Sequence, residues 1–79
     1  MQFKEAISKR VKDLCFEYGL TVHGLSLKTG VSNSTLDDIV KERNESVQLK
    51  FIFAICDGLN ISLEEFFHSP YFDKEQLID

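Results

Sequence analysis

Apolar residues recur along this chain at the spacing of helices. Phe3, Ile7, Val11, Leu14 and Tyr18 follow one another at i, i+4, i+8, i+11 and i+15, which predicts a helix near 3–18 with one buried stripe. Lys4, Glu5, Lys9, Lys12, Asp13 and Glu17 fill its outer face, Cys15 and Phe16 border the stripe, and Gly19 stops it. Val22 and Leu25 mark a second helix near 21–29, capped by Thr21 and ended by Gly30. Val31 is placed to plug the gap before a third helix near 32–40, capped by Ser32 and carrying Leu36, Ile39 and Val40 inward.

A polar loop over 41–46 follows. Leu49, Ile52, Phe53, Ile55, Cys56 and Leu59 predict a fourth helix near 48–59, apolar over an arc so wide that it should be mostly buried. Asn60 ends it, and Ser62 with Glu65 forms a capping box for a short fifth helix near 62–67 that carries Leu63, Phe66 and Phe67. Pro70 breaks any continuation and leaves 71–79 as a tail. The pattern predicts an all-α, five-helix fold with its domain over 1–68, a segment 69–79 beyond it, and no strand. The expected core is Ile7, Val11, Leu14, Leu25, Val31, Leu36, Ile39, Ile52, Ile55, Leu59 and Phe66.

Candidate chemistry gathers at the start of the third helix. Ser32 already caps it, so Asn33, Ser34 and Thr35 are surplus to the stability of that helix end. A helix N-terminus carries partial positive charge and free N–H donors, and short polar side chains there can come close to a phosphate or a base edge. The plain reading is that all three were chosen only as good helix-start residues.

The arrangement Leu25–x4–Gly30–Val31–Ser32–x–Ser34–Thr35–Leu36–x2–Ile39 resembles the phage-repressor-like (Xre/Cro-type) helix-turn-helix. The segment 55–67 also looks like that family's fourth and fifth helices, so the resemblance covers roughly 3–67. It implies a five-helix lambda-repressor-like bundle with the helix-turn-helix at helices 2 and 3, binding double-stranded DNA as a transcriptional regulator. The helix that begins at Ser32 would enter the major groove, while the segment from Thr21 lies across the backbone. Asn33 stands where the family's Gln or Asn reaches an adenine edge, and Ser34 and Thr35 would hold phosphate or touch a thymine methyl. Lys28, Lys41, Arg43 and Asn44 are phosphate candidates or solvated residues. Asp38 either accepts from a cytosine amino group or faces solvent beside the groove. Many family members carry Gln where this chain has Val22, and often Ala where it has Ser26. Valine can neither support a base reader nor bind phosphate.

Charge changes the picture only locally. The net charge of −4 is unfavourable for a DNA binder. Residues 1–50 nevertheless hold eight of the nine basic side chains against seven acids, whereas 51–79 hold Lys74 against six acids. The acidity therefore sits behind the proposed reading head. That acidic part, with Tyr71, Phe72, Leu77 and Ile78, supports an alternative reading as a protein-interaction module of the antitoxin or anti-repressor kind. The same apolar residues are the candidate contact of a homodimer, which a DNA regulator needs because one recognition helix reads only a few base pairs.

Other classes fit poorly. At 79 residues there is room for one core. No apolar run approaches the ~20 residues of a membrane span, and MQFKEAISKR lacks a signal-peptide core. Cys15 and Cys56 form no CxxC and read as buried free thiols of a reducing, cytoplasmic compartment. His23 and His68 read as surface residues. Ser34, His23 and Asp38 match a hydrolase triad by type alone, without a nucleophile elbow or a pocket. Asp37-Asp38 and Glu64-Glu65 are adjacent pairs that diverge on a helix, so neither a metal, a cofactor nor an enzymatic activity is expected.

Overall fold

The capping residues read from the sequence are the points at which the chain turns. The computed structural model describes residues 1–78, so the final residue of the expected tail, Asp79, lies outside the described residues. Among the described residues there are five α-helices and no strand: α1 (Phe3–Glu17), α2 (Val22–Thr29), α3 (Asn33–Val40), α4 (Leu49–Leu59) and α5 (Leu63–Phe67), followed by a 3₁₀ turn (Pro70–Phe72).

The ends of α1, α3 and α4 close alike, with one residue at positive φ and a pair of backward hydrogen bonds to the last carbonyls. Leu20 N–H donates to the Cys15 carbonyl at 2.8 Å, Arg43 N–H to Asp38 at 2.9 Å, and Ile61 N–H to Cys56 at 2.9 Å. The left-handed residue is Gly19, Glu42 and Asn60 in turn. Glu42, at φ 56°, holds a conformation that costs a residue with a Cβ about 1–2 kcal/mol. That conformation turns Arg43 back towards α3. At the fifth helix, Ser62 Oγ accepts from the Glu65 N–H at 3.0 Å and Glu65 Oε1 accepts from the Ser62 N–H at 3.4 Å, completing the capping box.

All eleven expected core residues are buried. α1 packs on α3, α2 on both α3 and α4, and α4 on α5. Ser8, fully buried, was not in the apolar pattern; its hydroxyl donates to the Val40 carbonyl at 2.7 Å and ties α1 to the last turn of α3. Arg10 caps the far end of the fold, donating from Nε to the Phe66 carbonyl at 2.6 Å and from a terminal nitrogen to the Glu65 carbonyl at 2.8 Å.

The expectation that α4 is buried nearly all round is corrected. Ile52, Ile55, Cys56 and Leu59 form its buried stripe, whereas Leu49 and Phe53 are 64% and 58% exposed. The physical reason is size: a single-core domain has too few elements to cover a second face of this helix. Phe3 and Tyr18, at the ends of the α1 stripe, are also half exposed.

The segment expected as a tail begins on the body of the domain. Pro70 starts the 3₁₀ turn, where its missing N–H costs nothing. The Phe72 ring lies 5.0 Å from Phe67, 6.1 Å from Phe3 and 6.3 Å from Phe66. The Asp13 carboxylate beside Tyr71 pushes its phenol above the ordinary range. Cys15 and Cys56 are free and buried, and burial pushes both thiols above their ordinary range, which makes them poor nucleophiles. Among the described residues, no helix is long and apolar enough to cross a membrane.

Candidate nucleic-acid interface

The turn between α2 and α3 is locked by side chains on both sides of it. Gly30 takes φ 78° with its N–H donating to the Ser26 carbonyl at 2.9 Å, a conformation open to glycine because it lacks a Cβ. Thr29 Oγ1 donates to the Leu25 carbonyl at 2.8 Å and accepts from the Val31 N–H at 3.2 Å. Ser26 Oγ donates to the Val31 carbonyl at 2.6 Å. The hydroxyl of Ser26, where the resemblance calls for no more than a small residue, thus holds the turn. Val31 is buried between the helices, as expected.

The caps aim the two helices. Thr21 Oγ1 accepts from the Gly24 N–H at 3.0 Å, and Ser32 Oγ accepts from the Thr35 N–H at 3.1 Å. Leu36, Ile39 and Val40 bury one face of α3, which leaves Asn33 and Ser34 exposed at its start. Thr35 is half-buried, and its hydroxyl receives a hydrogen bond from Ser32 at 2.9 Å. Asn33 does not project alone. Its Nδ2 stands 2.9 Å from Nδ1 of His23, on the first turn of α2. Sequence reasoning treated His23 as a surface residue; it is exposed, but nothing in a one-dimensional pattern pairs positions 23 and 33.

At the other end of α3 the charges gather into a cluster. Arg43 reaches Asp37 at 2.7 Å and Asp38 at 3.2 Å, and Lys41 reaches Asp37 at 3.2 Å. The phosphate candidate Arg43 is therefore a partner of the candidate base contact Asp38, Lys41 shares Asp37 with it, and the acids of α3 do not stand unneutralised. Lys28 and Asn44 are exposed, Lys28 near the end of α2 and Asn44 in the loop after α3. Lys50, which the sequence reading left out, sits at the start of α4 and lines a shallow cleft with Ser32 and Thr35.

The hydrogen bond from Arg43, reinforced by Lys41, holds the Asp37 carboxyl below its ordinary range. A depressed folded value stabilises the fold above the unfolded aspartate value, near ~3.9, and this contribution is lost as pH falls through the lower folded value. The carboxyl is still partly open to water, so solvent screens the effect. Arg43→Ala should move the Asp37 midpoint upward in a carboxyl-carbon NMR titration. An unmoved midpoint would mean that Lys41 alone sets it.

Two helices at a locked turn, the second with its polar N-terminus uncovered, define a helix-turn-helix. The profile of the Cro/C1-type HTH DNA-binding domain matches residues 10–69, from the middle of α1 past α5, and the chain belongs to that family. No curated protein and no solved structure matches it.

Proposed function

We propose that this domain is a sequence-specific transcriptional regulator that reads the major groove with α3. The observation that carries this reading is the division of α3 into a face held in the core by Leu36, Ile39 and Val40 and an exposed start made of Asn33 and Ser34. In this reading Asn33 donates to N7 and accepts from N6 of an adenine, Ser34 and Thr35 lie against phosphate or a thymine methyl, and Thr21, Lys28, Ser32, Lys41, Arg43 and Asn44 line the backbone. Asp38, held by Arg43, faces solvent beside the groove. The protein acts as a two-fold homodimer with half-sites about 34 Å apart, in the cytoplasm, where reducing conditions suit its two free thiols. Ile78, 77% exposed, is the apolar residue of the C-terminal segment most available to such a dimer.

Selection of bound sequences from a random duplex pool tests the reading directly, because it returns the half-site and the spacing. With that duplex in hand, Asn33→Ala should cost about 1–3 kcal/mol on the selected sequence and relax preference at one base pair. Arg43→Ala should weaken selected and scrambled duplexes alike and lower the salt slope by roughly one. It removes one positive charge, whether Arg43 touches phosphate or only masks Asp37 and Asp38. Equal losses for Asn33→Ala on both duplexes would make Asn33 a backbone residue and sink the assignment of the base reader.

A further inference from the structure

We infer that His23 is a specificity-determining positioning residue: it fixes the carboxamide of Asn33 in the orientation that reads a base. The inference rests on the proposed role of Asn33. An amide nitrogen only donates, so the 2.9 Å contact makes Nδ1 of His23 the acceptor and puts the ring proton on Nε2. Nδ2 of Asn33 carries two hydrogens. The one on the same side as Oδ1 forms, with that oxygen, the donor–acceptor edge that matches adenine N7 and N6. The other is available to His23, so the histidine can hold the amide without occupying its reading edge.

The placement makes this support specific. Asn33 is exposed, and His23 is a side-chain partner of its amide. Val22, the neighbouring residue on α2, is half-buried and packs against the core, so it offers no polar atom. His23 is held by the first turn of α2, which Thr21 caps, and the α2–α3 turn is pinned by Ser26 and Thr29. The acceptor is therefore mounted on a fixed element, and the amide is ordered before DNA arrives. Ordering a free polar side chain on binding costs about 0.5–1.5 kcal/mol, so loss of His23 should weaken the selected duplex roughly twofold to twelvefold.

The test is a double-mutant cycle on the full chain, using the duplex selected from the random pool, the same duplex with the Asn33-dependent base pair replaced, and a scrambled duplex. His23→Ala should lose that factor on the selected duplex and nothing on the other two. It should add no loss in the Asn33→Ala background. His23→Gln, whose side-chain oxygen can accept from the same hydrogen, should recover most of the affinity. Thermal melting should be the same for all the variants, which separates positioning from folding. A loss shared by all three duplexes, or undiminished in the Asn33→Ala background, would overturn the inference by making His23 a direct backbone contact. If Asn33→Ala loses selectivity but His23→Ala is silent, this inference alone falls. If no duplex is selected, or Asn33→Ala leaves selectivity intact, the reading of Asn33 falls and takes this one with it.

Discussion

Phe66→Ala should destabilise the domain by about 3–5 kcal/mol, the largest loss expected from any single truncation. Phe66 is fully buried, its ring lies 5.0 Å from Phe67 and 6.3 Å from Phe72, and the Arg10 guanidinium sits 5.9 Å from its centroid. Removing it opens a cavity where α1, α5 and the 3₁₀ turn meet. It also takes away the surface on which Arg10 rests while bonding the α5 carbonyls. At about 0.05–0.15 kcal/mol per residue a domain of this size has roughly 4–12 kcal/mol in total, so about a quarter or more of the stability should go. A urea titration with an earlier midpoint and an unchanged slope would show it. A loss under about 1 kcal/mol would mean that α5 is peripheral. Phe66 is far in the chain from α3, so the molecules that remain folded should still bind DNA normally.

Gly58→Val should cost about 3 kcal/mol and should carry DNA binding down with stability. A Cβ at this position would stand 2.6 Å from Thr29 Cγ2, 2.8 Å from Thr29 Cα and 2.9 Å from the Lys28 carbonyl oxygen. Two of those atoms are backbone, and Thr29 is pinned by the hydrogen bonds of Oγ1 to Leu25 and Val31. Nothing near the clash yields cheaply. Alanine in a helix normally gains about 0.5–1 kcal/mol over glycine, but overpacking costs about 1–3 kcal/mol, so even Gly58→Ala should lose. Valine adds two methyl groups and a stiff χ1 to the same clash. Relief can come only from moving α2 away from α4, and the end of α2 is where the turn into α3 begins. Melting temperatures should fall in the order Gly, Ala, Val, by roughly 4–8 °C per kcal/mol, and affinity for a selected duplex should follow that order. A neutral or stabilising Gly58→Ala would show slack between the two helices.

The helices, their caps and the core were legible in one dimension because each depends on neighbours three or four residues away. Leu36 and Ile39 share a face through the helical repeat alone, Thr21 and Ser32 cap the backbone three residues on, and Ser62 with Glu65 closes a box within one turn. The family, too, was legible, because its helix-turn-helix is written as local spacing around Gly30 and Val31. What the tertiary structure decided are the pairings between separate helices. Ser8 finds the carbonyl of Val40, Arg10 the end of α5, and Phe72 the ring of Phe3. Which apolar face of α4 stays wet also waited on packing, since Leu49 and Phe53 look as buryable as Ile52 until the neighbours are counted. The site was divided in the same way. Exposure of Asn33 follows from the repeat of α3, but its contact with His23 needs the crossing of α2 and α3, and the hold of Arg43 on Asp37 and Asp38 needs Glu42 in a left-handed turn. Periodicity reports which way a side chain leaves its own helix; only the packing of one helix on another decides what it meets there.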